Sequence, residues 1–154
     1  MAPPLARDTL LQERSLAGVD LCRAYSALVD GWLAELYEEA GSPASMALVA
    51  VGGYGRSELS PQSDIDLLLL HSGRQDLSEV RTVAEKLWYP IWDEGLKLGH
   101  AVRTIKEAMA LASDDLETAT ALLSTRLVAG NATMAAELAE KATALWRKRA
   151  KRFL

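Results

Sequence analysis

Asp64 and Asp66 stand one residue apart, between a glycine-rich turn, Gly52-Gly53-Tyr54-Gly55, and a run of four leucines, Leu67 to Leu70. On a strand, side chains at i and i+2 point to the same face. Two carboxylates held that close repel, and each raises the other's pKa unless a cation lies between them. Packing gives no reason to set two charges at the head of so apolar a run. A divalent cation with oxygen ligands accounts for the pair, and Mg²⁺ is the expected ion. The glycines just upstream supply a backbone that can approach phosphates closely. A metal site beside a phosphate-binding turn points to nucleotidyl transfer.

In that reading Asp64 and Asp66 hold the metal, neutralise charge developing on the α-phosphate, and lower the pKa of the attacking hydroxyl through it. Gly52 and Gly53 offer backbone N–H groups to the β- and γ-phosphates. Ser57 adds a hydroxyl and Arg56 a charge. Glu58 braces the loop and Tyr54 packs on the sheet. Each residue also has a plainer reading. Two aspartates can cap a strand at the surface, glycines can serve an ordinary tight turn, and Arg56 and Ser57 can face water.

The elements that must carry these residues follow from periodicity. From about Asp8 to Ala40 the pattern is helical, with Val29, Trp32, Leu33, Leu36 and Tyr37 on one face. Gly41-Ser42-Pro43 ends that helix. Met46 to Val51 reads as a buried strand, Gly52 to Gly55 as a turn, and Arg56 to Leu59 as a short helical turn. Ser60 to Ser63 is a loop into a second strand, Ile65 to His71. Asp76 and Glu79 form a capping-box-like start to a helix that Gly95 ends. Leu96 to Val102 is a third strand. Beyond Thr104 the chain reads as helical: Asp114 and Glu117 cap a helix carrying Leu116, Ala119, Leu123 and Leu127. Gly130-Asn131 is then a turn before a last helix. Trp32, Trp88, Trp92 and Trp146 all fall in helices and are expected in the core. The order helix, strand, strand, helix, strand, helices gives an α/β (α+β) fold, a small mixed sheet with packed helices and C-terminal helices after it.

The bulk numbers narrow the class. The 154 residues are enough for one domain with a real core, and 49% hydrophobic with 25% charged residues is ordinary globular composition. A net charge of −4 argues against a general nucleic-acid binder. It also means that a triphosphate needs its own cation and a local basic lining. Cys22 is the single cysteine, so a reducing, cytoplasmic setting is expected, with Cys22 as a small buried helix residue. The longest apolar runs are strand length, short of the ~20 residues of a spanning helix, and Met1 to Pro4 has no signal-peptide character. The basic residues crowded into Arg147 to Arg152 suit the end of a solvated helix.

The pattern of Gly-Gly, a ten-residue spacing, Asp-x-Asp and an apolar strand is similar to the signature of the DNA polymerase β-like nucleotidyltransferase superfamily. Within it, three stretches resemble the bacterial protein-PII uridylyltransferase/uridylyl-removing enzymes: Gly52 to Leu68, Trp92 to Thr104 and Asp115 to Gly130. The resemblance implies the DNA polymerase β-like fold and transfer of UMP from UTP, with Mg²⁺, to a tyrosine hydroxyl of a PII signal protein in nitrogen regulation. The short apolar runs and the net charge of −4 leave no membrane and no nucleic-acid partner expected. Members of that family carry metal-dependent HD hydrolase and ACT sensing domains after the transferase part. This chain has neither, so it is read as a nucleotidyltransferase core over residues 1–104 and a helical extension over 105–154, truncated from a longer protein.

One departure bears on mechanism. The superfamily has a third carboxylate on a later strand, and Leu96 to Val102 contains no Asp or Glu. His100 occupies the plausible position as a third catalytic residue, since a histidine takes a proton near neutral pH, with a structural histidine as its other reading. Arg103 is a phosphate candidate, but strict alternation puts it on the opposite face from His100. Asp93 is a further candidate acid. The alternatives are a protein adenylyltransferase of the same superfamily, or a regulatory domain that keeps the fold without turnover.

Overall fold

A computed structural model describes residues 4, 5 and 18–152. Among the described residues the order is α1 (Gly18–Glu39), β1 (Met46–Ala50), α2 (Gly52–Gly55), β2 (Ile65–His71), α3 (Leu77–Asp93), β3 (Leu98–Arg103), α4 (Ile105–Asp114), α5 (Leu116–Leu122), β4 (Arg126–Gly130) and α6 (Ala132–Arg152). The helix expected from Asp8 is seen from Gly18 on, and residues 8–17 lie outside the described residues.

Helix α1 buries Tyr25, Val29, Trp32, Leu33, Leu36 and Tyr37 along one side. It ends in a paired-carbonyl cap. Gly41 N–H donates to Glu38 O at 2.9 Å and Ser42 N–H to Tyr37 O at 3.1 Å. This requires a left-handed residue after the helix, and Gly41 supplies it at φ +106°. Tyr37 then hydroxyl-bonds the carbonyls of Pro43 and Met46, tying the helix to the start of β1.

The four strands form one sheet in the order β3-β2-β1-β4. β1 runs antiparallel to both β2 and β4, while β3 lies parallel to β2. Period-2 alternation divides the sheet into two buried faces. Leu48, Ala50, Leu67 and Leu69 pack with α1 and α3 in one cluster. Ala47, Val49, Leu68 and Leu70 pack with α4, α5 and α6 in the other. A sheet covered on both sides explains why β1 and β2 read as continuous apolar runs rather than alternating ones.

The structure corrects the sequence reading at several points. Residues 126–130 are a strand, not the tail of a helix and a turn: α5 stops at Leu122, and β4 pairs with β1. Gly130 permits the close approach, because a Cβ there would lie 2.5 Å from Met46 O. Asn131 then receives the Met134 N–H and opens α6. The cap of α5 is Asp115, which accepts from Glu117 and Thr118 N–H, rather than Asp114, the last residue of α4. Helical geometry falls on Gly52–Gly55 itself, not on 56–59, because Ser57 at φ +58° stops the turn. Trp32 and Trp88 are core, but Trp92 is 43% exposed and Trp146 38% exposed. Cys22 is half-buried. No helix among the described residues is long and apolar enough to cross a membrane.

Candidate active site

The site is built where β1 leaves the sheet and β2 enters it. β1 ends at Ala50, and Val51, still extended, caps α2. Val51 N–H donates to Asp66 O at 3.1 Å, so the glycine turn is bonded to the residue that carries the second carboxylate. The turn closes through Gly55 N–H to Val51 O and Arg56 N–H to Gly52 O, at 3.1 and 3.2 Å. The N–H groups of the first residues of such a turn have no partner within it and remain available as donors. Gly52 adopts φ +60°, and a Cβ there would sit 3.5 Å from Asp66 Oδ2. The glycines and the carboxylate thus adjoin one another.

Asp66 lies on β2 and Asp64 just before it. Asp64 is exposed and Asp66 half-buried. Burial first, and then the charge of Asp64, push the Asp66 carboxyl above its ordinary pKa. Opposite Asp66 in the parallel register stands Gly99. A Cβ at Gly99 would lie 2.2 Å from Asp66 Oδ1, so the carboxylate fills the space a side chain there would need. No group of three or more His, Cys, Asp and Glu residues able to hold a metal occurs among the described residues. Two carboxylates at the head of one strand are nevertheless a donor set that suits Mg²⁺, which is commonly held by one or two carboxylates plus substrate phosphates.

The register decides between the later candidates. Asp66 shares its face with Leu68 and Leu70, and on β3 this is the face of Gly99, Ala101 and Arg103. His100 pairs with Leu67 and faces the other way. Its ring packs against Trp88 and Trp92, with centroids 5.4 and 5.5 Å apart. The His100 ring thus packs toward α3, while the residue also lines the cavity beside Asp66. That cavity, of about 340 Å³, is lined by Asp66, His100 and Arg103 together with Val51, Asp115 and Thr118. Asp93 ends α3 and lines a separate hollow with Glu39, Glu85 and Tyr89. Asp115 and Thr118 escaped the sequence reading as site residues. The signal for them lay in the third resembling stretch, which periodicity treated as a plain helix.

Around the turn, Arg56 is exposed, pairs with Glu58 at 3.1 Å and reaches Ser124 Oγ at 3.3 Å. Ser57 is half-buried at the turn's end. Tyr54 is fully buried, and its hydroxyl donates to Asp30 Oδ1 at 2.5 Å. Burial, followed by the charge and hydrogen bond of Asp30, holds the phenol far above its ordinary pKa, so Tyr54 is a neutral donor.

Residues 33–120 match the nucleotidyltransferase domain family. A bifunctional uridylyltransferase/uridylyl-removing enzyme of Streptomyces coelicolor is 47% identical over 94% of this chain, which covers 17% of that protein. One from Mycobacterium tuberculosis is 40% identical over 93% of this chain and 18% of its own length. The chain thus spans under a fifth of the length of these relatives. A crystal structure of the toxin–antitoxin MntA–HpeT superposes with a TM-score of 0.48 at 14% identity, over 80% of this chain and 91% of that one. With the family match covering more than half of its residues, the chain belongs to the nucleotidyltransferase domain family.

Proposed function

We propose that this chain transfers a uridylyl group from UTP to a tyrosine hydroxyl of a PII signal protein, in a Mg²⁺-dependent reaction in nitrogen regulation. The observation that carries the transfer chemistry is the 3.5 Å approach between the Gly52 Cβ position and the Asp66 carboxylate. It sets a phosphate-binding backbone against a charge-holding pair. The uridylyl and PII assignments are supported by the names of the relatives and by the three resembling stretches.

In this reading Asp64 and Asp66 hold the cation, whose chemistry is to neutralise charge on the phosphate oxygens. Gly52 and Gly53 present backbone N–H groups to the outer phosphates, and Ser57 and Arg56 add a hydroxyl and a charge at the end of the turn. The cavity between β3 and α5 takes the sugar and base, its volume falling within the usual range for small-molecule sites of about 300–1,000 Å³. Arg103 adds to the basic lining that a triphosphate needs in a chain of net charge −4.

The test is label transfer. The chain is incubated with Mg²⁺, α-phosphate-labelled UTP or ATP, and a PII protein, and the labelled residue is mapped. Label on a PII tyrosine from UTP, lost in Asp64→Asn, is the expected result. Label from ATP alone assigns an adenylyltransferase. UTP binding without label on PII rejects PII as the acceptor.

A further inference from the structure

Arg126 was a bystander to the sequence reading, yet no other side chain of the described residues joins so many parts of the glycine turn. It starts β4 and extends its guanidinium beneath α2. Nη2 donates to Tyr54 O at 2.9 Å and Nε to Gly55 O at 3.4 Å. The same guanidinium grips Asp30 of α1 through a two-pronged pair, Nη1 to Oδ2 at 2.6 Å and Nη2 to Oδ1 at 3.2 Å. Asp30 in turn receives the Tyr54 hydroxyl at 2.5 Å, and the guanidinium carbon lies 5.2 Å from the Tyr54 ring centroid. Both charged side chains are more than two-thirds buried, at 28% and 30% exposure. A bidentate pair of this kind is directional as well as attractive.

The opposite side of the turn is fixed by contact. A Cβ at Gly55 would lie 1.6 Å from Ser124 O, so the α2 backbone rests directly on the connection leading into β4. That connection therefore meets α2 twice, through Ser124 by packing and through Arg126 by hydrogen bonds. Apart from these, from Val51 N–H to Asp66 O and from Arg56 to Ser124 Oγ, the bonds of the turn are local ones, such as Ser57 N–H to Tyr54 O at 3.0 Å and Glu58 N–H to Gly53 O at 2.9 Å. A four-residue helical turn with a left-handed serine after it is too short to hold its own shape, because helix nucleation is unfavourable.

We infer that Arg126 and Asp30 are positioning residues that lock the phosphate-binding turn, fixing the Gly52 and Gly53 N–H groups against Asp66 before any nucleotide arrives. The guanidinium spends its donors on the carbonyl side of the turn and on Asp30, so it acts through the backbone and not on a phosphate. The consequence for nucleotide binding rests on the function proposed above, whereas the effect on the turn does not.

The experiment uses Arg126→Lys and Asp30→Asn in the same chain, with melting curves to confirm that both fold. Lysine keeps the charge but cannot make the fork. Amide hydrogen exchange is then read at Gly55, Arg56, Ser57 and Glu58, against β1 and β2 as internal reference. The expected result is exchange about tenfold faster or more in the turn, with the β1–β2 amides changed by less than about threefold, since local opening is separable from global unfolding. UTP·Mg²⁺ affinity, read from intrinsic tryptophan fluorescence, is expected to fall at least about tenfold in both variants, as loss of an organised site costs affinity. Unchanged exchange at the turn, or an equal rise throughout the sheet, overturns the inference. Faster exchange with unchanged UTP affinity overturns its functional half. A wild-type chain that binds no nucleotide instead rejects the proposed function, and the exchange data still decide whether the lock exists.

Discussion

At the level of single atoms, the space Asp66 occupies is the space that a side chain at position 99 would need. Gly99→Ala puts a Cβ 2.2 Å from Asp66 Oδ1, and the carboxylate must swing away. Misplacing a reacting group by about 1 Å can cost on the order of 10²-fold, so kcat/KM for transfer is expected to fall by about that factor while the fold survives. Wild-type activity in Gly99→Ala would show that the Asp66 position is not critical. Asp66 itself carries a sign that can be checked. Its carboxyl is raised by burial and by Asp64, so the native state holds the proton more tightly than the unfolded chain. Stability is then fullest below the ordinary carboxylate pKa and declines as pH rises through the raised native value. At neutral pH and without metal, Asp66→Asn is therefore expected to raise Tm, by on the order of 1–3 °C for a chain of this size, while abolishing transfer. A fall in Tm of the metal-free variant contradicts the electrostatic account. His100 and Arg103 separate in the same way. His100→Ala, which loses a ring packed on Trp88 and Trp92, is expected to change transfer less than about threefold. Arg103→Ala is expected to cost tenfold or more, the scale of one hydrogen bond to a charged group at about 1.5–3 kcal/mol.

At the scale of elements, α4 has the clearest start signal in the chain. Thr104 accepts from Glu107 N–H at 3.1 Å, and the Glu107 carboxylate accepts from Thr104 N–H at 2.9 Å. Thr104→Ala is expected to cost about 1 kcal/mol, roughly 2–4 °C in Tm. The bonds from the Thr104 backbone and hydroxyl-bearing cap hold the Glu107 carboxyl below its usual value. That contribution is present above the ordinary glutamate pKa and is lost as pH falls through the lowered native one. The gap between wild type and a Glu107→Ala variant should thus narrow in acid, and a constant gap would refute the coupling. β1 and β2 were legible because buried strands leave continuous apolar runs bounded by turn residues. β4 was not, because Leu116, Ala119, Leu123 and Leu127 fit a helical spacing and a five-residue strand carries too little pattern to contest it. The carboxylate pair and the glycine turn were legible from residue type alone. Which face of β3 they look toward was not: alternation separates His100 from Arg103, but only the register Asp66↔Gly99 shows that Arg103 shares the face of Asp66. Likewise Arg126 and Asp30 are 96 residues apart, and no local pattern announces such a pair.

For the molecule as a whole, charge sets the terms on which a nucleotide can bind. A net charge of −4 offers a triphosphate no long-range attraction, and the two carboxylates at the centre of the site repel it further. The backbone donors of α2 and the charge of Arg103 act only at short range. Binding is therefore expected to depend on a divalent cation that turns the Asp64–Asp66 pair from a repulsive feature into an attractive one. A thermal-shift titration with each of the four ribonucleoside triphosphates measures this directly, because a ligand that binds only the folded state stabilises it by about 2.7 kcal/mol at a hundredfold excess over Kd. In a chain of this length that is a rise in Tm of roughly 5–10 °C. The rise should be largest with UTP, require Mg²⁺, vanish in chelator, and be absent from Asp64→Asn. Equal shifts with all four nucleotides would leave the transfer chemistry standing and remove uridine selectivity from this part of the chain. A shift that persists in chelator would place the triphosphate on the backbone and Arg103 alone, and would remove the metal from the binding step.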